Sequence, residues 1–175
     1  STLLRIISGV IIPTSGNIYV NNLSLSSLHL NHYRSNLGLS LSDETPFEGT
    51  IKENLTFGDN NIKDDLILEI LNVVGLDQYI KEQPKGLNTI IYPEGKQMSF
   101  TIAKKIILAR AIIKQPKVLI LEDPLDQFNP EETNKIISYL TDENKPWSLI
   151  VVSSNNEWGK DGNQIITLEK GEIKK

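Results

Sequence analysis

Two neighbouring carboxylates, Glu122 and Asp123, follow directly on the unbroken apolar run Val118-Leu119-Ile120-Leu121. Such a run suits a strand covered on both faces, so the pair emerges at the strand's carboxyl end, where α/β sheets bind ligands. There one carboxylate can hold Mg²⁺ and a second can orient an attacking water. The same two residues also suit a helix-capping Asp beside a solvated Glu, and taken alone they leave both readings open. A half-signal lies at the opening, where Ser1 and Thr2 start a helical pattern carrying Leu3, Leu4 and Ile6. In a phosphate-binding loop a hydroxyl residue comes directly after Gly-Lys, at the start of such a helix, and coordinates Mg²⁺. The glycines and lysine of such a loop are not in this chain. A start inside a helix, without Met, predicts a piece of something longer.

The elements that must position these groups come from a chain of 175 residues with 18 basic and 22 acidic side chains, a net charge of −4. That length is one domain or most of one, able to bury about two thirds of its unfolded surface. Mild acidity argues against a general nucleic-acid binder, which carries a basic stripe. With no Cys there is no disulfide framework, thiolate metal site or Cys nucleophile. No window approaches the roughly 18 apolar residues of a membrane span, and the first apolar stretch lacks the marks of a signal peptide. A globular domain of intracellular type is the expectation.

Residues 2–8 read as a helix ending at Gly9, Asn17–Val20 as a β-prone run, and Asn21-Asn22 as a tight turn, because Asn tolerates positive φ. Leu37–Leu41 reads as a short strand. Residues 64–74 carry apolar side chains at 67, 70, 71 and 74, the stripe of an amphipathic helix closed by Gly75. Residues 101–114 give a helix with Ile102, Ile106, Ala109 and Ile113 on one face and Lys104 and Lys105 off it. Pro130 to about Leu140 gives another, with Glu131 and Glu132 suiting its N-terminus. Leu149–Val152 reads as a second buried strand, and Gln164–Leu168 with Glu169-Lys170-Gly171-Glu172 and Ile173 as a hairpin. Strands alternating with helices predict an α/β domain with a partly parallel sheet.

In order and spacing these signals resemble the nucleotide-binding domain of ABC transporters along the whole chain. Ser1–Gly9 looks like the helix after the Walker A lysine, and Pro13-Thr14-Ser15-Gly16-Asn17-Ile18 is similar to the family's Pro-x-x-Gly-x-Ile turn. Phe47-Glu48-Gly49-Thr50-Ile51-Lys52-Glu53-Asn54-Leu55 resembles the segment after the Q-loop in its exporter form. Leu108-Ala109-Arg110-Ala111 and Pro116–Leu121 look like the helix and Walker B strand after the signature, and Gly162–Lys174 like the closing hairpin. The resemblance implies a P-loop NTPase-like ABC ATPase domain over 1–175, lacking its first strands, with a helical subdomain at about 55–110. It further implies ATP and Mg²⁺ as ligands. The implied partners are a transmembrane domain and a second ABC domain, not nucleic acid, at the cytoplasmic face of the cell membrane.

Several motif positions depart from the family pattern. Where the family has the Q-loop Gln, this chain has Ser42; the signature Leu-Ser-Gly-Gly-Gln falls on Met98-Ser99-Phe100-Thr101-Ile102. The Walker B Asp and catalytic Glu fall on Glu122 and Asp123, an inverted pair, and the switch His falls on Ser154. The D-loop falls on Asp126-Gln127-Phe128-Asn129, and His29 and His32 read as surface residues. By resemblance, Asp123, Ser154 and Ser42 are the degenerate catalytic positions. Ser1 and Thr2, with Ser99 acting across a dimer, would bind nucleotide, and Ser1 and Glu122 would hold the metal. An Asp is one methylene shorter than Glu, roughly 1.5 Å, and a misplacement near 1 Å can cost about 10²-fold in rate. Phe100 and Thr101 add bulk where glycines would let the backbone approach a phosphate.

The expectation is an ATP-binding transporter domain impaired in hydrolysis. A slow but active ATPase and a non-enzymatic dimerisation module are its alternatives. A soluble ABC protein acting on nucleic acid or the ribosome is disfavoured by the charge of −4.

Overall fold

The computed structural model describes residues 2–154, 158 and 162–174. Helix α1 (Thr2–Ile7) leads to a ribbon of β1 (Tyr19–Val20) and β2 (Leu23–Ser24), joined through Asn21 and Asn22 at φ 47° and 65°. Two positive φ values in a two-residue connection match the twist of a hairpin. Helix α2 (Leu30–Ser35) precedes β3 (Leu37–Ser40); β4 (Gly49–Thr50) runs into α3 (Ile51–Thr56). Helices α4 (Asp64–Val73) and α5 (Asp77–Glu82) come next, then β5 (Ile90–Ile91), which pairs antiparallel with β4. The long helix α6 (Phe100–Ile113) precedes β6 (Val118–Glu122), α7 (Pro130–Leu140) and β7 (Ser148–Val152). A terminal hairpin pairs β8 (Leu168–Glu169) with β9 (Glu172–Ile173).

Among the described residues, the main sheet is three parallel strands in the order β3-β6-β7. The two faces of β6 bury different cores, as an apolar strand without a polar side requires. Leu119 and Leu121 join the large core with Ile106, Leu108 and Ile136, whereas Ile120 joins Leu4, Leu37 and Leu41 on the α1 side. Close contact of α6 with β3 rests on Gly38, where a Cβ would sit 2.5 Å from the Ala111 carbonyl oxygen.

Three expectations need correction. Lys104 and Lys105 are not on a solvated face: both are buried, at 7% and 5% exposure. Helix α6 is enclosed on every side from Lys104 to Ile113, so its lysines must find partners inside. The strand at 149–152 is only half-buried, and its end residues Ser148 and Val152 are exposed, because β7 pairs only with β6 among the described residues. In the tail, pairing is confined to residues 168–169 and 172–173, while Ile165 and Ile166 are exposed outside any strand.

Candidate functional site

Parallel register brings the carboxyl ends of the three strands level. Ser40 pairs with Leu121 and Glu122 with Val152, so the chain just beyond each strand converges on one edge. That edge holds Ser42, Asp123 and Ser154, which with Phe100, Lys104 and Phe128 help line a cavity of about 510 Å³. The sheet thus gathers four residues read from the sequence, with Glu122 immediately behind Ser42.

Glu122, 4% exposed, is held from the β3 side. Its Oε2 accepts the Ser42 backbone N–H at 3.1 Å and the Ser42 hydroxyl at 2.9 Å. Two donors on one carboxylate oxygen are the kind of support a buried charge requires. On its other side Ser42 offers its carbonyl to the Lys104 ammonium, at 2.8 Å. The same ammonium lies over the Phe100 ring, 5.5 Å from its centroid. A single serine therefore bridges a buried cation and a buried carboxylate.

Asp123 is held differently. Its backbone takes φ 40°, a left-handed conformation that Asp adopts more readily than most residues. Its amide still extends the ladder, donating to the Val152 carbonyl at 2.8 Å. Its Oδ1 accepts the Ser154 backbone N–H at 3.0 Å. The reading as a helix cap beside a solvated Glu does not fit: Asp123 accepts the amide just beyond β7 and caps none of the described helices, it faces the cavity, and Glu122 is buried.

The other predicted positions lie further out. Ser99 is the exposed N-cap of α6, its hydroxyl accepting from the Ile102 amide at 3.3 Å. Thr2 starts α1, which reaches the site region through Arg5: its guanidinium meets Asp43 at 2.6 Å. That bond holds the Asp43 carboxyl below its ordinary pKa. Ser1 lies outside the described residues.

Sequence reasoning missed the lysines and an outer aromatic step. Lys105 meets Glu132 at 2.5 Å and the Gly75 carbonyl at 3.2 Å. The readable signal was a helix apolar on every face with two adjacent lysines inside it, which calls for buried partners. Arg110, also buried, donates to Glu44 at 3.1 Å and lies over Phe57, whose ring stacks on Phe47 with centroids 5.7 Å apart. Burial pushes the Glu44 carboxyl above its ordinary pKa, with Arg110 pulling the other way.

A three-stranded parallel edge of this kind, with an acidic pair at the end of the central strand, is the edge at which α/β folds bind ligands. Residues 1–126 match the family model described as ABC transporter. The chain belongs to that family and is of the nucleotide-binding domain type. It is 27% identical over 174 residues to a multidrug resistance ABC transporter ATP-binding and permease protein of Lactococcus lactis, covering 99% of this chain and 30% of the relative. It is 28% identical over 174 residues to ABC transporter B family member 13 of Arabidopsis thaliana, covering 99% of this chain and 14% of the relative. The chain thus spans a third or less of these relatives. In fold it superposes on a bacterial Atm1-family ABC exporter solved with ATP bound, at a TM-score of 0.90 and 18% identity, over 99% of this chain and 31% of the other. Among the described residues no helix is long and apolar enough to cross a membrane.

Proposed function

We propose that this chain is the ATP-binding portion of an exporter-type ABC transporter that couples nucleotide state to transport while hydrolysing little ATP. The observation that carries the proposal is the engagement of both carboxylates at the end of β6. Glu122 is occupied by the two donors of Ser42, and Asp123 by the Ser154 amide. A carboxylate that orients water must offer an oxygen at the right distance, and phosphoryl transfer depends on such placement. Asp123, Ser154 and Ser42, the catalytic positions that the family resemblance implies, would then be mis-set for that task. Thr2 and Ser99, with Ser1 outside the described residues, would contact nucleotide, Ser99 across a dimer with a second ABC domain.

Mg²⁺, implied by the family, fits these residues poorly. Mg²⁺ requires near-octahedral oxygen ligands, and the buried carboxylate available, Glu122, already accepts two bonds beside an ammonium one residue away. No step is therefore assigned to the metal.

The domain, with a helical portion at about 55–110, would sit under a transmembrane partner at the cytoplasmic membrane face. Support for that docking comes from the exposed Phe47–Phe57 step beside β4. Steady-state ATPase of the full-length protein tests the reading: we expect turnover about 10²-fold below that of an exporter with Glu at the catalytic position. Ordinary turnover abolished by Asp123→Asn overturns it. The cavity-facing place of Asp123 favours a slow ATPase as the second reading, which predicts low turnover that Asp123→Asn removes.

A further inference from the structure

The cavity at the sheet edge is lined by two carboxylates, Asp123 and Asp126, against one ammonium, Lys104. The ammonium is answered within the wall. Its Nζ donates to the Ser42 carbonyl at 2.8 Å and lies 5.5 Å from the Phe100 centroid, with buried Glu122 bonded to the far side of Ser42. The aspartates have less support. Asp123 gives one oxygen to the Ser154 amide, and among the described residues its other oxygen and the exposed Asp126 carboxylate meet no donor. A third group is also unsatisfied. Thr133, at the start of α7, lines the cavity at 6% exposure, and among the described residues its hydroxyl makes no hydrogen bond. Thr56 and Thr141 return theirs to the carbonyl four residues back, and a hydroxyl this buried ordinarily finds a partner. Phe100, Leu125 and Phe128 add apolar surface. Both rings already face a lysine ammonium, Phe100 that of Lys104 and Phe128 that of Lys105. A ligand's charge therefore belongs at the carboxylates and its apolar body against the rings, while an anion meets two like charges.

We infer that this cavity binds a small organic cation, an ammonium on an aromatic body, with its charge between Asp123 and Asp126 and an N–H donated to the Thr133 hydroxyl. The cavity's volume of about 510 Å³ admits such a molecule, and neither Thr2 nor Ser99 lines it, so the inference does not depend on the nucleotide reading. The test is a ligand-observed NMR titration of the full-length protein with phenethylammonium, 2-phenylethanol and phenylacetate, one body in three charge states. Phenethylammonium is expected to bind with a Kd of about 1 mM or tighter, about tenfold tighter than the alcohol, with phenylacetate weaker still. The double change Asp123→Asn with Asp126→Asn should remove the preference for the cation over the alcohol. Thr133→Val keeps the shape and loses the hydroxyl, and should weaken the ammonium about threefold. Circular dichroism reports whether each variant is folded; if the double variant is not, wild type and Thr133→Val decide. A cation preference that survives in the folded double variant, or an unchanged affinity in Thr133→Val, places the amine elsewhere and overturns the inference. Tighter binding of phenylacetate, or no amine binding up to about 10 mM, overturns it as well.

Discussion

Ser42 directs all three of its polar backbone and side-chain groups at charges: its amide and hydroxyl at Glu122, its carbonyl at Lys104. Ser42→Ala removes the shorter of the two bonds from Ser42 to Oε2 and keeps the 3.1 Å amide. The expected cost is about 1–2 kcal/mol, read from urea unfolding; a change within error would mean that Glu122 does not depend on the hydroxyl. Glu44 offers a test in pH. Its folded pKa is raised, chiefly by burial, from an ordinary value of 4.5. A raised carboxyl pKa means that the folded state holds the proton more tightly, so the contribution to stability is complete below the unfolded value. It is lost as pH rises through the folded value. Glu44→Gln should therefore gain stability relative to wild type between pH 4 and pH 7 (as ordinary bracketing values, ~4 and ~7), measured by thermal unfolding at each. A relative loss over that interval refutes the assignment.

Caps and close approaches govern the elements. Asn129 caps α7, its Oδ1 accepting the Glu132 amide at 2.8 Å, whereas the equivalent bond of Ser99 on α6 is 3.3 Å. Asn129→Ala should cost about 1 kcal/mol and Ser99→Ala visibly less; chemical denaturation ranks the two. Gly38→Ala is expected to cost about 3 kcal/mol, since the added Cβ meets backbone and ring atoms that cannot swing aside. The apolar strands and the helices α4, α6 and α7 were legible in the sequence because each carries its own periodicity or an unbroken apolar run. Helix α3 was missed, being too short for a stripe, although Thr50 and Glu53 form a capping box that the local sequence spells out. The pairing of Gly49-Thr50 with Ile90-Ile91 links segments far apart in the chain and leaves no local pattern. At the site, Glu122 and Asp123 were legible from a strand end, and Ser42 and Ser154 only through the family resemblance. Lys104 could not, because the helical stripe assigned it to solvent.

At the scale of the molecule, polar contacts tie α4 to α7. Lys135 donates to the Asn72 carbonyl and Oδ1 at 2.7 and 2.9 Å, and the Tyr139 hydroxyl donates to Glu69 at 2.9 Å. Burial and Glu69 together push the Tyr139 phenol well above its ordinary pKa, so it stays a donor. The double change Lys135→Met with Tyr139→Phe should speed amide exchange about tenfold across α4 and α5 while β6 keeps its protection. Equal loss in β6 would show that the contacts hold the whole domain rather than one part. The Phe47–Phe57 step has a reach of its own. Arg110 presses on Phe57 from α6, and Lys104 sits on that helix six residues earlier, about 9 Å along its axis. The outer aromatic pair and the cation that meets Ser42 are therefore fastened to the same buried helix, at opposite ends of two of its turns.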